Sequence, residues 1–305
     1  MGEAAMGFVG VDTAHSSIMT VFPRWADHLG LPTRRLRGHD VALDSADAVY
    51  RVLVGEIKRD DAYLGALVTT HKIRVYEAAL DLFDEVDDAS TQCGEISSIS
   101  KRGGRLRGAA KDPLTAGLAL REFLGDDWFA RTGGEVVCLG AGGAGTAIST
   151  SLAQHRDRPA RITVADVETD RLAHLRGIHE RTGLDADLFR YVDVTSLGDA
   201  GALVAGAAPG SLVVNATGLG KDRPGSPIEP ATTFPREAAV WELNYRGALD
   251  FLHQAEAQRA ERELTVVDGW RYFVHGWTQV IADVFDIPMP AATVEELATL
   301  AESVR

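Results

Sequence analysis

Gly140, Gly142 and Gly145, in the stretch EVVCLGAGGAGTAISTSLAQH (residues 135–155), stand at the G-x-G-x-x-G spacing. The chemistry such a loop serves is pyrophosphate binding: one glycine makes the tight turn, one lets the backbone approach the phosphates, and one lets a helix pack close to a sheet. Gly143 and Ala144 complete the turn and open a helix whose N-terminal N–H groups and dipole favour an anion. A lone match also occurs in methyltransferases and plain turns, so its flanks decide. Glu135 to Leu139 reads as a short buried parallel strand, and a second strand, Arg161 to Ala165, runs into Asp166. That is where a ribose-binding acid is expected. Its charge repels a 2′-phosphate and favours NAD, while Arg171 nearby keeps NADP open. Further on, GSLVVNATGLG sets Asn215, Thr217 and Gly218 at a strand's carboxyl edge, suited to lie beside a nicotinamide.

Lys72 raises a second question. The apolar run Leu64 to Val68 reads as a buried strand that passes through Thr69, Thr70 and His71 to Lys72, where an amphipathic helical pattern begins. A lysine held at a strand end can give or take a proton and stabilise an alkoxide. It can also lay its stem along the strand and reach solvent. Asp112, just before Pro113, reads alone as either a cap or a turn residue. His71 is open between substrate contact and packing.

The elements that position these residues alternate. Before Asp112 come a strand in GFVGVDTAHSSI, a helix containing Pro23, a helix in ADAVYRVLVGEIKR, the Lys72 strand, and a β-hairpin across Gly103–Gly104. From residue 135 to about 268 the pattern is strand then helix, which predicts a parallel doubly wound sheet. The fold class expected is α/β, in two domains over 305 residues. With 45% hydrophobic and 25% charged residues and no run of eighteen apolar ones, a membrane span is excluded. The net charge of −13 argues against nucleic acid or anionic lipid as the main partner. The basic clusters at Arg34, Arg35 and Arg37 and at Lys101, Arg102, Arg105 and Arg107 are expected on solvated faces or turns. No secretory or myristoylation signal is visible at the start, and the two cysteines, Cys93 and Cys138, fit a reducing compartment, so cytoplasm is expected. The nine histidines show no zinc-ligand spacing, and no metal is expected. The expected partner is a small-molecule substrate, with a monomer or homodimer both open.

The order of parts resembles the shikimate/quinate dehydrogenase family over almost the whole chain. That family has H-S-x-S, N-V-T-x-P-x-K, G-A-V-N-T, G-x-N-T-D, G-x-G-G-x-G, N-A-T-x-x-G, D-x-x-Y and G-x-x-M-L-x-x-Q. The corresponding stretches here are AHSSI, ALVTTHK, GEISS, GAAKD, GAGGAG, NATGLG, ELNY and GWRYFVHG. The resemblance implies an N-terminal α/β substrate domain, residues 1–112, to which 270–305 return. It also implies a Rossmann-type dinucleotide domain, 113–269, a cleft between the two, and a catalytic Lys72–Asp112 pair. Departures fall on substrate-reading positions: Ile18, Ala66, Val68, Ser97, Ala110 and Gly276 replace the family's serine, asparagine, threonine, asparagine, asparagine and glutamine. Ser16 keeps the first loop serine, and Ser17, Thr69, Thr70, His71, Ser97 and Ser98 are the candidate replacement contacts. The expected activity is therefore hydride transfer between NAD(P) and a secondary alcohol of a cyclic or polyhydroxylated acid, other than or in addition to shikimate. The rivals are a true shikimate or quinate dehydrogenase with a rebuilt shell, and a non-catalytic dinucleotide sensor.

Overall fold

The computed structural model describes residues 3–221 and 223–304. The chain folds as two compact units, Met1–Lys111 with Val274–Arg305, and Asp112–Phe273. Among the described residues no helix is long and apolar enough to cross a membrane.

The first unit contains β1 (Ala5–Gly10), α1 (Ile18–Leu29), β2 (Leu36–Asp40), α2 (Asp47–Arg59), β3 (Tyr63–Val68), α3 (Lys72–Ala79), β4 (Glu85–Val86), α4 (Asp88–Cys93), β5 (Ser98–Arg102) and β6 (Arg105–Ala109). They form a sheet of order β2-β1-β3-β5-β6-β4, in which β5 runs against its neighbours β3 and β6. All six residues of β1 are buried, as expected of a parallel strand covered on both faces. Helix α1 buries Ile18, Val21, Phe22, Trp25 and Ala26, one stripe at helical spacing, and this burial carries the helix through Pro23. Gly30 then ends it in the left-handed conformation, φ 64°.

The basic clusters divide. Arg34 and Arg35 are exposed and paired with Asp27 and Glu3. Arg37 lies on β2, with its guanidinium 4.6 Å from the centre of the Tyr63 ring. This edge strand, LRGHD, has no apolar run to announce it.

The second unit contains α5 (Asp112–Leu124), α6 (Trp128–Thr132), β7 (Val136–Leu139), α7 (Gly143–Gln154), β8 (Ile162–Asp166), α8 (Thr169–Arg181), β9 (Phe189–Asp193), α9 (Leu197–Ala205), β10 (Leu212–Asn215), β11 (Ala239–Glu242), α10 (Asp250–Arg262) and β12 (Thr265–Val267). Its sheet is wholly parallel, in the order β12-β11-β10-β7-β8-β9, a Rossmann-type doubly wound arrangement. Strands β7, β10 and β11 are buried throughout. Helix α11 (Trp270–Phe285) starts in this unit and continues in the first, which α12 (Ala291–Ala301) completes by packing on α1, where Trp25 donates to the Leu297 carbonyl at 2.8 Å.

Candidate active site

In the second unit, β7 ends in Leu139 and the chain turns at Gly140, which sits at φ 112°. A side chain there would be strained by its backbone, and its Cβ would lie 2.6 Å from Ala216 C and O. Gly145 is required for a different reason: a Cβ would meet the Gly140 carbonyl oxygen at 2.0 Å. Gly142 has ordinary extended backbone, φ −78° and ψ −168°, and a Cβ placed on it meets nothing within 4 Å. The protein's own packing therefore explains Gly140 and Gly145 and leaves open space at Gly142. The first bond of α7 runs from Thr146 N–H to the Gly142 carbonyl, so the N–H groups of Gly143, Ala144 and Gly145 stand before it at the positive end of the helix. Open space over Gly142, beside those groups, is the cradle a pyrophosphate needs.

Asp166 ends β8 beside this turn and is buried. One carboxylate oxygen accepts from Ala141 N–H at 2.7 Å and the other from Glu168 N–H at 3.0 Å. Each oxygen keeps a second lone pair, so the carboxylate is fixed in place yet able to accept from a ribose hydroxyl.

Asn215 and Glu242 are register partners at the ends of β10 and β11, and both are fully buried. Asn215 donates to Glu242 Oε2 at 2.7 Å and to the Leu219 carbonyl at 3.3 Å; its oxygen accepts from Thr217 N–H at 3.1 Å and Thr217 Oγ1 at 2.6 Å. All its amide groups are thereby occupied, so Asn215 shapes the loop after β10 and does not itself reach a cofactor. Thr217, partly buried, and Gly218, exposed at φ 75°, lie at the surface of that loop. Glu242 Oε1 accepts from both the backbone N–H and the side chain of Asn244, each at 2.7 Å. Burial pushes its carboxyl up to about 7, against the pull of these donors. The motif reading takes Glu242 only as the first residue of ELNY and gives it no role. The signal was an acid closing an otherwise apolar buried strand.

In the first unit, parallel strands β1 and β3 send their carboxyl ends to one edge, and the loops there carry Ser16, Ser17, Thr69, His71 and Lys72. Thr69 donates through N–H and hydroxyl to the Val9 carbonyl. Ser17 precedes α1 and makes no side-chain capping bond; Ser16, partly buried, donates its N–H to the Thr13 carbonyl. Lys72 is the first residue of α3, partly buried. A cation gains nothing from the positive end of a helix, so the helix dipole does not account for a lysine at this position. Ile96 N–H donates to the Lys72 carbonyl and Val68 N–H to the Ser97 carbonyl, which brings the segment leading into β5 against the Lys72 turn.

Several expected substrate contacts are occupied internally; among them Ser98, fully buried, donates its hydroxyl to Asp283 Oδ2 at 2.7 Å. His71 is 1% exposed, donates through Nε2 to the Val41 carbonyl at 2.9 Å, and accepts at Nδ1 from Tyr50 O–H at 3.0 Å. Burial holds its pKa below the usual value, so it is a neutral brace for the turn with no ring nitrogen left for a substrate. The Ser97 hydroxyl is buried, accepts from Lys111 N–H at 2.7 Å and donates to the Ala109 carbonyl at 3.4 Å. The short side chain serves the hairpin closure. Ile18, Ala66 and Val68 are fully buried and Ala110 nearly so, whereas a Cβ on Gly276 would meet nothing within 4 Å. In the second unit, Asp112 opens α5, 7% exposed, and its carbonyl accepts from the Thr115 hydroxyl at 3.1 Å.

No family model matches the chain. A shikimate dehydrogenase (NADP+) of Methylobacterium radiotolerans is 30% identical over 271 residues, covering 88% of this chain and 86% of that protein. A shikimate dehydrogenase (NADP+) of Salinibacter ruber is 34% identical over 192 residues, 60% of each chain. Among solved structures, quinate dehydrogenase from Corynebacterium glutamicum in complex with NAD superposes with a TM-score of 0.75 at 22% identity over 99% of both chains. By sequence and by fold, the chain belongs to the shikimate/quinate dehydrogenase family.

Proposed function

We propose that this protein is an NAD-dependent dehydrogenase that oxidises a secondary alcohol of a cyclic, polyhydroxylated acid, and reduces the corresponding ketone. The observation that carries the reading is the cradle at Gly142. Space with no structural use lies beside the N–H groups that open α7, with the Asp166 carboxylate fixed next to it. A nicotinamide cofactor bound there supplies the hydride acceptor or donor. Asp166 accepts from the adenosine ribose, and its charge disfavours a 2′-phosphate, which is why NAD is proposed although relatives' names include NADP+.

Lys72 takes the hydroxyl proton as the C–H bond yields its hydride, and returns it in the reverse direction. Asp112 is the carboxylate that the family resemblance pairs with it. In the first unit, the positions where the family pattern has polar side chains carry Ile18, Ala66, Val68 and Ala110, all buried and apolar. The hydroxyls of Ser16 and Ser17, with the Thr69 hydroxyl as an acceptor only since it donates to Val9, are the candidate substrate contacts on that edge. A substrate set beyond shikimate follows, because a site that loses hydrogen-bonding partners loses discrimination for the hydroxyls they read. The test is a substrate panel with purified protein. NAD reduction by a cyclic polyhydroxy acid, lost in Lys72→Ala with NAD binding kept, is expected. Tight NAD binding with no turnover of any such alcohol would favour the sensor.

A further inference from the structure

We infer that Glu242, although out of reach of any ligand, is a positioning residue for the cofactor: its carboxylate holds Asn215 and Asn244 so that the loop after β10 keeps the shape on which the glycine turn rests. The inference depends on the cofactor lying at that turn, as proposed above.

The network is closed. Asn215 and Asn244 each use both amide hydrogens, one on a Glu242 oxygen and one on the Leu219 carbonyl. Asn215 then presents its oxygen to Thr217, whose hydroxyl accepts from Leu219 N–H at 3.2 Å. The peptide linking Ala216 to Thr217 is the surface that forbids a side chain at Gly140, so any movement of this loop is felt by the turn. Three N–H donors converge on one carboxylate. A carboxylate accepts all three with charge assistance; protonation removes the charge, sets an O–H on one oxygen and weakens its hold on the donors. Among charged groups Asp268, after β12, acts on Glu242 to raise it, whereas the donors Asn215 on β10 and Asn244 beyond β11 are neutral. Burial and, less strongly, Asp268 raise the carboxyl to about 7, so the charge that holds Asn215 and Asn244 is lost as pH falls through neutral.

The experiment is NADH binding by fluorescence titration at pH 6, 7 and 8. For the native chain, only the ionised network is competent, so affinity at pH 6 falls about tenfold below that at pH 8. Glu242→Gln sets an NH2 group against one of the donors, and is expected to bind weakly at every pH, with a flat profile. Glu242→Asp keeps the charge and restores a pH-dependent profile. Asn244→Ala removes a donor to the carboxylate and moves the midpoint to higher pH. Asn244→Ala decides the matter if Glu242→Gln does not fold. Wild-type affinity and profile in Glu242→Gln, or an unmoved midpoint in Asn244→Ala, would overturn the inference. Gly142→Ala serves as the separate check on the cofactor site. If it binds NADH normally, the site reading fails; if it loses binding while the Glu242 variants behave as wild type, only the present inference fails.

Discussion

Replacing Gly142 by alanine separates ligand binding from folding more sharply than any other change in the turn. The backbone at this position is one that any residue adopts, and the new methyl group meets no atom within 4 Å. Two small terms act on stability. Alanine restricts the unfolded chain more than glycine does, worth about 0.4–1 kcal/mol in favour of the fold. As residue preceding α7 it is a poorer helix cap than glycine, at a cost of comparable size. They offset to within about 1 kcal/mol, so the melting temperature stays within about 4 °C of wild type. Binding is affected differently, because the methyl fills the space a pyrophosphate needs and holds it away from the N–H groups of α7. A loss of at least tenfold in NAD affinity, about 1.4 kcal/mol, is expected by isothermal titration calorimetry. Gly145→Ala supplies the contrast: its Cβ would fall 2.0 Å from the Gly140 carbonyl oxygen, so it lowers the melting temperature as well. Unchanged NAD affinity in a folded Gly142→Ala protein would refute the assignment of the pyrophosphate to this turn.

Other consequences follow from the same geometry. Lys72→Ala is expected to lower kcat roughly a hundred- to ten-thousand-fold with NAD affinity unchanged, measured by steady-state kinetics and calorimetry. Asp166→Asn removes the charge that opposes a 2′-phosphate and raises the NADP to NAD preference by about tenfold in kcat/KM. It also destabilises the fold, because an amide NH2 then faces Ala141 or Glu168 N–H. His179, buried between Ser149 Oγ and the Tyr191 hydroxyl, has its pKa lowered by burial from 6.5 to about 4. The unfolded chain therefore takes this proton first, so the stability it confers is complete above about pH 6.5 and lost as pH falls toward 4, ~3 kcal/mol in all. His179→Leu should flatten that part of the stability curve relative to wild type in urea unfolding at pH 7, 6 and 5; a parallel curve would contradict it.

What the sequence discloses depends on how local each cause is. The glycine turn is legible because the positive φ of Gly140 and the contact of Gly145 with the Gly140 carbonyl lie within the turn itself. The parallel sheet is legible for a similar reason: β7, β10 and β11 are short apolar runs buried from end to end. Edge strand β2 is not, since half-buried LRGHD has neither alternation nor an apolar run. Asn215 is identified as important, but its role is misread. Whether an amide faces a ligand or a buried acid depends on the register that sets it opposite Glu242, and pairing between distant strands is not written in either strand. His71 likewise reads as a candidate contact until Tyr50 and Val41, twenty-one and thirty residues away, account for both ring nitrogens.

The most direct test of the account is NADH formation, followed by absorbance, from purified protein, NAD and a panel of shikimate, quinate, aminoshikimate-like compounds and cyclitols. The account predicts turnover of at least one cyclic polyhydroxy acid, faster with NAD than with NADP and lowered about a hundredfold or more in Lys72→Ala, which still binds NAD. Turnover undiminished in Lys72→Ala, or an NAD-binding protein silent across the panel, would contradict it.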